Sequence, residues 1–255
     1  MPKIIAIHSY RGGTGKSNLT ANLAVAIALQ GKRVAVVDTD LQSPGIHTIF
    51  NSNIPSKTLN DYLWNRCSIQ DTAYDVSSAI GLEQKGKIFL ISSSVNVNEI
   101  ARIISEGYNV NLLNSGFQRL IKELELDYLF LDTHPGLSRE TLLSIAISNL
   151  LILILRPDSQ DFQGTAVTVD VARQLKVPNM LIAINKVASK IDFSELQEKV
   201  EMTYDIPVAG ILPVSEEMMQ LGSSGVFCLR YPNHPLTQIL NQVALKAIAD
   251  QKPGF

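Results

Sequence analysis

Apolar residues in this chain fall in short, unbroken runs, at 4–8, 34–37, 88–91, 128–131, 150–155, 181–184 and 208–212. The runs lack the alternation of a strand with one wet face, so they predict strands covered on both sides. Between many of them lie stretches with helical spacing, at 17–30, 111–125, 139–148, 165–175, 192–204 and 236–250. Strand alternating with helix predicts an α/β fold, a doubly wound and mostly parallel sheet flanked by helices. No linker, repeat or low-complexity segment interrupts the pattern, so residues 1–255 are expected to form a single domain. The pattern is weakest over 51–84. There Leu59-Asn60-Asp61-Tyr62-Leu63-Trp64 suggests a short amphipathic helix in a crossover, with the one tryptophan packed in the core or a lid.

The segment after the first run changes the picture from fold to chemistry. It reads Arg11-Gly12-Gly13-Thr14-Gly15-Lys16-Ser17 and leads into the first helical stretch at Asn18. Strand, glycine-rich loop and helix are the context of a phosphate-binding loop. Glycines let successive N–H groups turn inward on an anion, and the helix N-terminus adds positive potential. Lys16 would reach the β- and γ-phosphates, and the Ser17 hydroxyl would ligate Mg²⁺. The strict G-x-x-x-x-G-K-[ST] pattern is not met, because Tyr10-Arg11 stands where its first glycine belongs.

Open α/β sheets bind ligands at the carboxyl ends of their strands. Asp38-Thr39-Asp40 follows the second run, and two carboxylates at i and i+2 there can face one site. Leu131-Asp132-Thr133-His134-Pro135-Gly136-Leu137-Ser138 follows the fourth, and an acid ending a buried strand is the Walker B arrangement. Gly136 frees the loop after it to approach a γ-phosphate.

These three segments together resemble the ParA/MinD family, the deviant Walker A ATPases, over nearly the whole chain. Asp38-x-Asp40 matches that family's acidic pair, and Asp132-Thr-His-Pro-Gly-Leu-Ser looks closest to the MinD-like branch. Arg11, where the family carries a signature lysine, and His134 are departures. The resemblance implies ATP and Mg²⁺ as ligands, with two subunits sandwiching two nucleotides. Asp40 would orient the attacking water, Asp38 and Asp132 would support the metal, and Arg11 would reach the partner's phosphates. Asn185-Lys186 matches the adenine-contacting position, and Pro213-Val214 the loop that packs on the base. Asn185-Lys186-Val187-Ala188 lacks the aspartate of a guanine reader.

The implied activity is slow hydrolysis of ATP by a dimerising switch that positions or regulates a protein partner. The alternative is a nucleotide-dependent binding module with little hydrolysis, which Arg11 and His134 permit and Asp40 argues against. An iron–sulfur carrier would need a cysteine pair, and Cys67 and Cys228 stand far apart with no metal spacing. A ligase or kinase would need a second substrate-recognition set, which is not apparent. The tail Gln251-Lys252-Pro253-Gly254-Phe255 is not the tyrosine-rich end of a bacterial tyrosine kinase. The last helical stretch has one basic residue, Lys246, so it reads as a packing helix rather than a membrane-targeting one.

Composition adds bounds. Apolar residues make up 45% of the 255 and charged residues 18%, enough for a sizeable core. A net charge of −2 disfavours a dedicated nucleic-acid binder. Nonspecific DNA binding would rest on Arg173, Lys176, Lys190, Lys199 and Arg230, which are interspersed with acids. The chain enters its first strand at once, without a signal peptide, and no run reaches the ~20 residues of a membrane span. A cytoplasmic location is the expectation. The histidines at 8, 47, 134 and 234 have no metal spacing, and His134 is expected to be a loop histidine that hydrogen-bonds a neighbour, the alternative being a sensor of pH or of a partner.

Overall fold

The computed structural model describes residues 2–82 and 86–249. Strands β1 (Lys3–His8), β2 (Arg33–Asp38), β3 (Ala73–Asp75), β4 (Lys87–Ile91), β5 (Tyr128–Asp132), β6 (Leu150–Leu155), β7 (Met180–Val187) and β8 (Val208–Pro213) make one sheet. Its order is β3-β4-β2-β5-β1-β6-β7-β8. Every neighbouring pair is parallel except β3 and β4. All seven apolar runs are strands. β3 was not anticipated, because three edge residues are too short to carry a period.

The helices are α1 (Lys16–Ala28), α2 (Ile46–Ile49), α3 (Leu59–Leu63), α4 (Val97–Glu106), α5 (Asn111–Glu123) and α6 (Arg139–Ala146). They continue with α7 (Ser159–Gln174), α8 (Phe193–Tyr204), α9 (Glu216–Leu221), α10 (Phe227–Arg230) and α11 (Pro235–Ile248). Six answer the expected stretches. α7 starts earlier than the apolar pattern because Asp158 caps it, accepting from Asp161 N–H. The expected end of the last helix at Asp250 lies outside the described residues. α4 was not anticipated: Val97, Ile100, Ile103 and Ile104 share one face at helical spacing, only Ile103 of the helix is buried, and the Asn96 side chain caps it by accepting the Asn98 N–H.

Strand side chains divide between two cores, one on each face. Ile5 and Ile7 of β1 join α1, α10 and α11 in one layer. Ile4 and Ala6 join α3, α5, α7 and α8 in the other. Coverage on both faces is why the strands read as continuous apolar runs. α1 is buried on every side from Leu19 to Ala28, so the helix after the glycine loop is locked to the middle of the sheet. The short helix over 59–63 forms as expected, closed by a capping box between Thr58 and Asp61. Trp64 ends it and packs on the second core, with the Arg102 guanidinium 3.8 Å from its ring centroid.

Phe130 lies in β5 at the centre of the sheet and is fully buried. Phe130→Ala is expected to cost about 3–5 kcal/mol in urea unfolding. Leu245→Ala, on the exposed side of α11, is expected to stay within about 0.5 kcal/mol of the unaltered protein.

Candidate functional site

β1 lies between β5 and β6, so its carboxyl end opens at the centre of the sheet edge. The loop that follows turns through Gly13 at φ 74° and Gly15 at φ 98°, left-handed backbone that glycine adopts without strain. Hydrogen bonds hold it from within. The Thr14 hydroxyl donates to Ser9 Oγ at 2.8 Å, and the Ser9 hydroxyl to the Arg11 carbonyl at 2.7 Å. It is also held from β7. Asn185 Nδ2 donates to the Thr14 carbonyl at 2.8 Å, and Lys186 Nζ to the Gly13 carbonyl at 2.8 Å. A Cβ on Gly15 would stand 2.6 Å from Asn185 Nδ2, so a larger residue would strain the backbone and push that amide off the Thr14 carbonyl.

α1 starts at Lys16 with neither a side-chain cap nor an acid in its first turn. The unpaired N–H groups and the positive end of the helix are left to an anion, with Lys16, Ser17 and Asn18 at the opening. Lys16 is itself buried. Burial pushes its ammonium pKa down, and the charges of Asp132 and Asp40 oppose that shift.

Asp38 and Asp132 end neighbouring strands in register with each other, and both are buried. Asp38 is raised well above the ordinary carboxylate range, first by burial and then by Asp132 and Asp40, against N–H bonds from Gly45 and Asp40. Asp132 is pushed up to about 6 by burial, against the Ser17 and Thr20 hydroxyls and the Lys16 charge. The Thr20 hydroxyl donates to Asp132 Oδ1 at 3.1 Å. Two desolvated carboxyl groups beside a serine hydroxyl are an all-oxygen donor set that suits a hard cation such as Mg²⁺. Among the described residues no three His, Cys, Asp or Glu side chains form a self-sufficient metal centre. The remaining ligands would come from phosphate oxygens and water.

Asp40 follows one turn of chain later. Its Oδ1 accepts the Ser43 N–H at 2.9 Å and lies 2.7 Å from His134 Nδ1. The loop after β5 is tied to the glycine loop, because Gly136 N–H donates to the Ser9 carbonyl at 3.3 Å. His8 Nδ1 lies 2.8 Å from Thr133 Oγ1, which donates to the Ile7 carbonyl. Burial, with help from Lys16 and His134, pushes the His8 pKa down to about 3, so the ring is neutral.

Arg11 extends to α7. Its Nη1 lies 3.2 Å from Asp158 and 3.3 Å from Asp161. Asp161 also takes Arg156 Nε at 2.9 Å. Sequence reasoning missed this acidic pair, although Asp158 follows a buried run at the functional edge of the sheet. On the other side of the glycine loop is a pocket of about 290 Å³, lined by Asn18, Leu212, Pro213, Val214, Met218 and Met219. Asn185 and Lys186 also line it, but the amide of Asn185 is engaged by Thr14 on one side and by the Lys186 N–H on the other. Thr14 contributes backbone to the loop, since its side chain is buried.

The model of the ParA family, described as NUBPL iron-transfer P-loop NTPase, matches residues 1–248. An uncharacterized ATP-binding protein of Methanocaldococcus jannaschii is 28% identical over 96% of this chain and 87% of its own. An iron-sulfur cluster carrier protein of Pyrococcus furiosus is 24% identical over 96% and 85%. Among solved structures, the septum site-determining protein MinD complexed with Mg-ADP from Pyrococcus horikoshii superposes with a TM-score of 0.82. That likeness covers 98% of this chain and 97% of that one, at 20% identity.

The raised pKa of Asp132 has a sign. Between about pH 4 and 6 the folded protein keeps a proton that the unfolded chain has released, so stability falls as pH rises through that window. Asp132→Asn is expected to flatten that slope and to raise the thermal midpoint of the nucleotide-free protein at pH 7.5 by several degrees. Scanning fluorimetry across pH checks both. Added ATP and Mg²⁺ are expected to raise the midpoint of the unaltered chain and to leave that of the variant in place.

Proposed function

This chain belongs to the ParA family of P-loop NTPases, and from that premise we propose that it is an ATP-dependent dimerising switch. In this reading it hydrolyses ATP slowly to ADP and phosphate and regulates or positions a partner protein. The observation that carries it is the convergence of charge at one sheet edge. Lys16 and the uncapped α1 N-terminus offer positive potential, while Asp38, Asp132 and Ser17 offer oxygens. Phosphoryl transfer needs such positioning and charge neutralisation more than it needs covalent chemistry. Mg²⁺ bound by Ser17, Asp38 and Asp132 would neutralise charge on the β- and γ-phosphates. Lys16 would hold the phosphates, Asp40 would orient water, and the pocket beside Asn18 and Pro213 would take the base.

The role of Arg11 requires an exchange of partners. Its guanidinium is held by Asp158 and Asp161 of its own chain. To reach the nucleotide of a second subunit it would leave these carboxylates for phosphate oxygens, which a guanidinium can grip through two N–H groups at once. The salt bridge to Asp158 is partly exposed, and the buried Asp161 would keep Arg156 as its partner when Arg11 leaves.

A second reading follows from the relatives named as iron–sulfur carriers: nucleotide-gated transfer of a cluster. Cluster ligands are thiolates. Cys228 is buried with its pKa pushed up to about 12, and its Sγ–H donates to the Asn22 carbonyl. Cys67 is also pushed up by burial. The chemistry of these two cysteines therefore supports the switch over the carrier. Surface binding of DNA draws little support, since Arg173 is committed to the Tyr204 carbonyl and Lys199 lies over Phe162. Among the described residues no helix is long and apolar enough to cross a membrane.

Light scattering of Asp40→Ala is expected to show a dimer with ATP and Mg²⁺ and a monomer with ADP. A mass indifferent to nucleotide would overturn the switch. Arg11→Ala is expected to weaken the ATP-bound dimer at least tenfold, and Arg11→Lys to restore much of it. Anaerobic reconstitution with iron and sulfide is expected to give no cluster absorbance that survives desalting; a retained cluster would favour the carrier.

A further inference from the structure

The Asp40 carboxylate is not free to rotate. Two donors converge on its Oδ1: the Ser43 N–H at 2.9 Å and His134 Nδ1 at 2.7 Å. A carboxylate oxygen only accepts, so the ring nitrogen facing it carries the hydrogen. Oδ2 has no protein donor among the described residues. The two donors come from different segments, Ser43 from the loop after β2 and His134 from the loop after β5. The His134 segment is itself anchored: its carbonyl accepts the Thr141 hydroxyl at 3.2 Å, and Gly136 is tied to Ser9.

We infer that His134 is a positioning residue for hydrolysis: by donating to Asp40 Oδ1 it holds the carboxylate in one orientation and leaves Oδ2 as the oxygen that accepts from the attacking water. The inference rests on the reading of Asp40 as the water-orienting group. In the step it serves, the water oxygen bonds to the γ-phosphorus and the bond from phosphorus to the β–γ bridging oxygen breaks. ADP leaves with that electron pair. The proton of the water, taken up at Oδ2, passes to the phosphate product or to solvent. Rotational freedom in the acceptor would lower the share of time in which water is in line, an orientation effect on turnover rather than on nucleotide binding. His134 does not line the pocket expected for the base, and among the described residues its hydrogen bonds go to Asp40 and Thr141 rather than to the glycine loop, so the two effects separate.

The experiment is single-turnover hydrolysis of ATP with Mg²⁺ at saturating protein, with ATP affinity measured by titration of a fluorescent analogue. His134→Ala is expected to slow hydrolysis about ten- to a hundredfold while affinity stays within about twofold. His134→Asn, whose amide N–H can take the place of Nδ1–H, is expected to recover most of the rate. Asp40→Ala with His134→Ala is expected to be no slower than Asp40→Ala alone, because one residue acts through the other. A full rate in His134→Ala, a matching loss of ATP affinity, or failure of His134→Asn to rescue would each overturn the inference. Hydrolysis lost in Asp40→Ala but kept in His134→Ala would overturn it alone. No hydrolysis by the unaltered protein, or an unchanged rate in Asp40→Ala, would overturn the parent reading with it.

Discussion

Two carboxyl groups held without solvent at adjacent strand ends set the terms for the rest of this molecule. Asp38 and Asp132 are paired in register across β2 and β5, where water cannot stabilise their charge. Such groups persist only beside compensating charge and donors. The chain supplies them from the next strand of the sheet. β1 neighbours β5, and the loop it feeds brings Lys16 and the N-terminus of α1 to the same edge. The compensation is incomplete, since both carboxyl groups stay above their ordinary range. In the proposed function a divalent cation would relieve that stress, and a cation there would in turn favour a polyphosphate on the glycine loop.

The second theme is connection between loops. Ser9, Thr14, Asn185 and Lys186 hold the glycine loop in shape. Gly136 and Thr133 join the loop after β5 to β1 and to the glycine loop. His134 joins the same segment to Asp40. In the proposed function a change at the phosphates would therefore be felt by the two loops whose carboxylates sit beside them. The Arg11 cluster lies at the outer side of this network. Asp161 is nearly buried and holds two arginines, whereas Asp158 is half-exposed, so one anchor of Arg11 is firm and the other is open to competition.

Much of this was legible from local pattern. Strands buried on both faces read as apolar runs wherever they occur, and the seven runs are strands. The glycine loop was readable because left-handed turns at Gly13 and Gly15 demand a particular residue type next to Lys16. The acids after β2 and β5 were readable because they break apolar runs at a known end of the strand. β3, α2, α9 and α10 were not, since three to six residues are too few to carry a period, and α4 was missed although its apolar residues share one face.

What local pattern leaves open is which distant residues meet. His134 and Asp40 are 94 positions apart, Arg11 and Asp161 are 150 apart, and Asn185 and Thr14 are 171 apart. Their contacts depend on strand order and on the path of each crossover. Periodicity records whether a segment is covered, not which segment covers it. The chain alone thus specified the buried strands, most of the longer helices, and a glycine loop with acids at the strand ends beside it. Only the folded sheet decided that Arg11 rests on its own α7, that Asn185 braces the loop, and that a histidine holds Asp40. Each of these is a side-chain contact between strand ends that become neighbours only when the sheet is assembled.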